Sequence, residues 1–237
     1  MWDVSSTYTN LMADDHYFEF KVELGGETFT QDDLISISTE YKTFEEPTVG
    51  LCLSSELTLS MFAPDITIPR MGTVRPYVRV TNGTTYSEWI PQGVFYIDTR
   101  EITNNDDGLN VLTLHCYDAI LKAEADYPGT SHSWPETDIN VVKEIAYTLG
   151  LQASASATTG IDSRTISLMT SAYSIGLPTG TMRETLGYIA ALYAGNWIMN
   201  YNGQLLLIPL NGLPDPTFYL IDENGSAITF GGVRILV

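Results

Sequence analysis

Residues 16 to 24 alternate strictly. Phe18, Phe20, Val22 and Leu24 fall on one side; Tyr17, Glu19, Lys21 and Glu23 fall on the other. A period of two with one polar side predicts a half-buried strand. Gly25-Gly26 follows and suits a two-residue hairpin turn. Residues 51 to 61 alternate again, with Leu51, Leu53, Leu57, Leu59 and Met61 opposite Ser54, Glu56, Thr58 and Ser60. Residues 73 to 80 and 84 to 90 flank Asn82-Gly83, and residues 93 to 103 and 109 to 117 flank Asp107-Gly108. Both dipeptides tolerate the positive φ angles of type I′ turns, so both predict hairpins. So many antiparallel strands in residues 1–118 predict a barrel or sandwich, and closure into a barrel removes exposed strand edges.

The pattern changes after Tyr117. Residues 119 to 123 suit one helical turn, and 127 to 135 read as a Gly/Pro/Ser loop. A helix is predicted over about 138 to 149, with Ile139, Val142, Ile145, Ala146 and Leu149 on one stripe. Thr137 or Asp138 suits its start and Gly150 its end. Residues 152 to 164 read as a surface loop. A second helix is predicted over about 182 to 194. Thr181 and Glu184 have capping-box spacing, and Gly195 is its expected stop. Gly187 inside it costs up to ~1 kcal/mol against alanine, which points to a close backbone contact. Strands then resume, with one hairpin about Asn202-Gly203 and another, over 217 to 222 and 226 to 230, about Asn224-Gly225. The fold class is therefore β-rich α+β: an antiparallel barrel over 1–118, an α+β domain with two helices over 119–200, and the first strands of a further, unfinished β-rich unit over 201–237.

Charge narrows the function. Eleven Lys+Arg against 29 Asp+Glu give a net charge of −18. Such an excess disfavours binding to phosphate backbones and to anionic membranes. No apolar run reaches the length of a membrane span, and the first residues carry neither a basic region nor an apolar stretch, so no signal peptide is expected. Cys52 and Cys116 lie in apolar runs and read as small hydrophobes, not as a disulfide framework. The sequons at Asn82 and Asn224 read as turns.

No catalytic or metal-binding pattern emerges. His16, His115 and His132 stand apart, without metal-ligand spacing, so no metal and no cofactor are expected. Asp14-Asp15, Glu45-Glu46, Asp106-Asp107 and Asp222-Glu223 are adjacent pairs, which point to opposite faces of a strand. Residues 104 to 108 faintly suggest a calcium loop, but His115 stands where the closing glutamate belongs. Cations are concentrated instead: Arg70, Arg75 and Arg79 fall within ten residues, and Arg75, Tyr77 and Arg79 share a strand face. That face is either solvated or a contact with an acidic neighbour, possible between chains because arginine is favoured at interfaces. Trp89, Trp134 and Trp197 are the candidates for an exposed aromatic cluster, with Trp134 in a loop as the strongest.

Several blocks, in this order, resemble tail proteins from prophages of Gram-positive bacteria. They are Ser55-Glu56-Leu57-Thr58-Leu59, Ile68-Pro69-Arg70, Val74-Arg75-Pro76-Tyr77-Val78, the run from Trp89 to Asp98, the run from Leu112 to Ala119, the run from Arg183 to Ala191, and the Asn202-Gly203-Gln204-Leu205 hairpin. The family is the phage baseplate or tail-tip hub. The resemblance implies a first barrel, an α+β insertion and a second barrel, with three copies forming a ring that continues the tail tube. It implies a non-enzymatic virion protein, assembled in the bacterial host cytoplasm as a homotrimer beside distal tail, tip or fibre proteins. DNA would pass through the channel without being bound, and an acidic lumen would keep it from sticking. The alternatives are a β-rich host-surface or fibre-adaptor module and, less in keeping with the residues, a tail-associated hydrolase.

Overall fold

The computed structural model describes residues 4–42, 48–104, 108–129, 133–170 and 173–210, with the backbone of Thr229–Phe230 and Val233–Arg234. It opens on a helix, α1 (Ser6–Ala13), whose N-terminus is capped by Ser5 Oγ accepting from the Tyr8 N–H at 3.2 Å. This corrects the expectation of strands and turns alone in the first 118 residues. Only Leu11 of α1 is buried, so the sequence carries no apolar stripe to betray it.

Eight strands follow: β1 (Tyr17–Leu24), β2 (Glu27–Thr30), β3 (Leu34–Glu40), β4 (Glu56–Phe62), β5 (Thr73–Thr81), β6 (Ile90–Pro91), β7 (Phe95–Asn104) and β8 (Asn110–Tyr117). They form one sheet in the order β2-β1-β5-β7-β8-β4-β3, with β6 on β5. Every pairing is antiparallel. Six antiparallel steps separate β2 from β3, so the two run the same way. They are also consecutive in the chain, with residues 31–33 between them. The chain therefore crosses from one edge of the sheet to the other in one continuing line, and the sheet has to curl for it to do so. Asp33 fixes the crossing: its carboxylate accepts from the Thr30 N–H and its own N–H donates to the Thr30 carbonyl, both at 2.9 Å. Among the described residues no ladder joins β2 to β3. A large, curled antiparallel sheet thus stands where a closed barrel was expected. Its inner face packs Val22, Leu24, Leu57, Leu59, Phe95 and Leu114 into one core.

The expected strand over 51 to 61 is broken at Ser54-Ser55. Residues 50–53 leave the sheet and run parallel to β11 (Gly195–Met199), with Gly50 N–H to Gly195 O, Trp197 N–H to Leu51 O and Leu53 N–H to Trp197 O all at 2.8 Å. The alternating pattern hides the break because both halves are apolar, yet the first half sends Cys52 into one core while Leu57, Leu59 and Met61 of the second half enter another. The expected strand over 84 to 90 is likewise shortened to a bridge at Tyr86 and to β6. Its turn is in place: Asn82 Oδ1 accepts from the N–H groups of Thr84 and Thr85.

The second core gathers a 3₁₀ helix (Ala119–Glu124), α2 (Asp138–Thr148), α3 (Ser163–Leu168), α4 (Met182–Leu192), the short pair β9 (Glu136–Thr137) and β10 (Ser174–Ile175), and the hairpin of β11 with β12 (Leu205–Pro209). Trp197 lies at its centre, fully buried, its indole N–H donating to Leu186 O at 2.8 Å. The capping box of Thr181 and Glu184 forms as expected. Gly187 meets the Gly50 backbone closely: a Cβ there would lie 2.6 Å from Gly50 O. Helix α4 is capped at Tyr193 and followed by Ala194 in the left-handed region, φ 49°, so Gly195 is not its stop and instead opens β11. Residues 152 to 164, expected as loop, bury Ile161 against β12 and enter α3 at Ser163. Six residues are too few for a helical period to show. The expected hairpin about Asn224-Gly225 lies outside the described residues except for Thr229–Phe230 (β13), which pairs with Val233–Arg234 (β14).

Candidate functional site

The arginine-bearing face of β5 packs against β1. Antiparallel register sets Glu19 opposite Arg79, Lys21 opposite Tyr77 and Glu23 opposite Arg75. Arg79 donates through Nε and Nη2 to Glu19 Oε2, at 2.8 and 2.5 Å, and its guanidinium stacks on Tyr86 and Trp89 at 4.3 and 4.4 Å from the ring centroids. Lys21 pairs with Glu23 at 3.2 Å and stands over Tyr77 and Trp89. Burial and the Glu23 carboxylate raise the Tyr77 hydroxyl above its usual pKa, against the neighbouring Arg75. Arg79 and Tyr77 are therefore engaged within the chain. Arg70 and Arg75 are exposed, and neither forms an ion pair with a described residue.

Arg70 sits on a turn. The Gly72 N–H donates to Pro69 O at 3.1 Å, and Met71 holds φ 57° at the third position, where glycine is usual. The Gly72 carbonyl then accepts from the Ile97 N–H at 3.0 Å, which pins the turn to β7. Met71 is 38% exposed. The side chain that strains the turn is thus presented to solvent, a feature the sequence hides because Met-Gly reads as an ordinary turn end.

At the opposite end of the sheet the inner face opens. β2 pairs with β1 only over Lys21–Leu24, so the Tyr17–Phe20 edge of β1 has no partner strand on that side. Among the described residues β3 pairs with β4 alone. Between them lies an apolar slot of about 290 Å³, lined by Phe18, Phe20, Ile37, Thr39, Val78 and neighbouring residues. Phe18 is 43% and Phe20 37% exposed, although both belong to the core-facing side of the strand. Asp14 and Asp15 lead into this strand and are exposed, without an ion pair to a described residue. An exposed hydrogen bond from Tyr41 Oη to Gln92 O lies beside the slot, which Gln92 helps to line.

Four carboxylates are buried among the described residues: Asp118, Asp162, Asp138, which accepts from Tyr193 Oη, and Glu144, which accepts from Tyr127 Oη. Asp118 joins the units: it accepts from Ser55 N–H at 2.7 Å, Ser54 Oγ at 3.0 Å and Ile120 N–H at 3.0 Å. Burial nevertheless pushes its pKa up to about 6, the donors offsetting only part of the cost. Asp162 is the reverse case. Burial raises it, but Arg164, which is bidentate at 2.9 and 2.8 Å, and Asn200 outweigh that and hold it at about 2. Burial pushes Cys52 and Cys116 up to about 12, so both thiols are inert at neutral pH.

Among the described residues no cluster of three His, Cys, Asp or Glu has metal-site geometry. His16 meets Phe18 edge-on and His115 lies against Thr58; His132, Glu45-Glu46, Asp106-Asp107 and Asp222-Glu223 lie outside the described residues. Trp89, Trp134 and Trp197 form no exposed cluster: Trp197 is fully buried, Trp134 packs edge-on against Tyr127, and Trp89 lies beneath Lys21 and Arg79. No described helix is long and apolar enough to cross a membrane.

No family model and no curated protein matches the chain. Among solved structures the chain is similar to the tail protein from Neisseria meningitidis MC58, at 13% identity and a TM-score of 0.48, covering 89% of this chain and 53% of that one. It is also similar to the 43 kDa tail protein of prophage MuSo2 from Shewanella oneidensis, at 14% identity and a TM-score of 0.44, covering 80% of this chain and 52% of that one. The chain thus spans about half the length of either.

Proposed function

We propose that this chain is a structural, non-enzymatic component of a phage-type tail, placed in the baseplate or tail-tip hub. What carries the reading is an agreement. The sequence blocks that resemble tail hubs occur in the hub order, and the chain has a large curled antiparallel sheet leading into an α+β unit, which is compatible with that reading. Three copies would form a ring that continues the tube toward distal tip or fibre proteins, in a virion tail assembled in the host cytoplasm. The net charge of −18 suits a channel through which DNA passes without binding.

The test is immunogold electron microscopy of purified tails, with an antibody raised to this chain. Label confined to the tip end of the tail is expected. Tails that carry label along their length, at the head-proximal end, or not at all would sink the hub assignment.

A further inference from the structure

The exposed turn and the open slot are the two ends of one unit. Val74, two residues past Gly72, pairs with Leu24, whereas Val80 pairs with Phe18. From Thr73 the strand runs about 10 Å to Pro76, where the slot begins, and about 17 Å to Val78, at ~3.4 Å per residue. The turn of one copy therefore does not reach the slot of the same copy.

Their chemistries are complementary. The turn offers a protruding apolar side chain, Met71, between Arg70 and Arg75, and neither arginine has an ion pair with a described residue. The slot offers an uncharged apolar floor, Phe18, Phe20 and Ile37, with Asp14 and Asp15 on the chain leading into it. Copies carrying −18 each repel one another unless a contact brings cations to acids. In the sheet unit Lys21, Lys42 and Arg79 already have acidic partners in their own chain. Arg70, Arg75 and Arg100 are exposed there with no ion pair to a described residue; Arg100 donates to the Ile68 carbonyl at 2.8 Å, beside the same turn, which leaves Arg70 and Arg75 to flank Met71. Met71 adds a second indication, since a non-glycine residue at positive φ is strained and such strain collects at working surfaces.

We infer that the Arg70-Met71 turn of one copy docks into the Phe18/Phe20 slot of a second copy, with Arg70 and Arg75 meeting Asp14 and Asp15. This rests on the reading of the chain as a self-assembling tail component and names the surfaces that do it. The contact is head-to-tail, because turn and slot are different patches. A head-to-tail contact propagates, and it closes into a ring when its rotation allows. Apolar insertion supplies affinity, and the flanking charges supply register.

The experiment is light scattering behind size exclusion over a range of protein concentrations, on the wild type and two variants. Arg70→Glu with Met71→Gly disables the turn without disturbing its backbone, since glycine accepts the positive φ. Phe18→Asp disables the slot at a position already open to solvent. The expected results are self-association of the wild type and at least a tenfold weaker association of each variant alone. An equimolar mixture of the two should form 1:1 dimers and nothing larger, because one intact turn then meets one intact slot. Variants that associate as the wild type does, or a mixture that stays monomeric, would overturn the contact. Circular dichroism on each variant separates a lost contact from a lost fold, and if Phe18→Asp unfolds, Asp14→Lys with Asp15→Lys replaces it. A wild type that remains monomeric throughout overturns the contact as well. The hub assignment is judged separately, by the position of the gold label.

Discussion

The two cores use the same apolar residue types and finish differently at their margins. In the α+β core, helices α2 and α4 and the β11–β12 hairpin enclose Trp197, Ile145, Leu186 and Leu205 completely. In the sheet core, strand β1 buries Val22 and Leu24 but leaves Phe18 and Phe20, on the same face, a third or more exposed. A sealed core is complete within one chain. An apolar face that continues past its cover has a surface still to be filled, and large exposed apolar side chains on the inward side of a strand are the form such a surface takes.

The sharpest way to break this contrast is to cut one aromatic from each core. Trp197→Ala removes a fully buried ring and orphans the Leu186 carbonyl. It is expected to cost about 3–5 kcal/mol in urea unfolding. Phe18→Ala is expected to cost under about 1 kcal/mol, because the ring is already largely wet. Equal losses would mean that the slot is as closed as the α+β core, and the contrast would fall.

Next in size is the junction carboxylate. Asp118 has a folded-state pKa of about 6 against an ordinary 3.8. Its contribution is therefore full below about pH 4 and is lost as pH rises through 6, a change of about 3 kcal/mol. Asp162, held at about 2, has the opposite sign: its contribution is full above about pH 4 and is lost as pH falls toward 2. Stability from these two groups peaks near pH 4. Urea midpoints measured from pH 3 to 8 should fall on the alkaline side, and Asp118→Asn should flatten that limb alone. If Asp118→Asn leaves the limb unchanged, its donors hold the carboxylate ionised and burial is the weaker influence.

The two regions were also unequally legible. In the sheet, period two and the glycine turns located β1, β7 and β8 closely, because one face of each strand is wet for part of its length and the alternation shows. The same rule failed at Leu51 and Leu53. Cys52 and Leu53 are both buried there, between the β11 strand and the surrounding core, and alternation no longer reports which sheet a residue joins. In the α+β unit, stripe and capping box located α2 and α4. α1 and α3 escaped, the one for want of a buried stripe and the other for want of length. The paired arginines of β5 were visible as a cluster. That Arg79 would be held by Glu19, Tyr86 and Trp89, and that Arg70 and Arg75 would not be ion-paired, depended on register and on the fold of residues 82–89, which no local pattern encodes.

Gly187 tests the fit between the regions. In an isolated helix Gly187→Ala would gain up to ~1 kcal/mol. Here the added Cβ would stand 2.6 Å from Gly50 O, a backbone atom fixed by the Gly50–Gly195 bond. Overpacking of this kind costs about 1–3 kcal/mol, so a net loss is expected. A gain in thermal stability would show that the 50–53 strand yields, and that the two cores are less firmly joined than their hydrogen bonds indicate.

The smallest expected effect lies on the outer face of β1 and β5. Arg79 is about a quarter exposed, and its pair with Glu19 is screened accordingly. A double-mutant cycle over Arg79→Ala and Glu19→Ala should give a coupling of at most about 1 kcal/mol. Arg79→Lys sharpens the point: it keeps the charge but loses the planar stack on Tyr86 and Trp89, and it should recover only part of that coupling. Full recovery by lysine would reduce the site to a point charge beside Glu19. No recovery would place the energy in the stack, and would make this face a packed layer of the sheet unit, as closed to a partner as the slot beneath it is open.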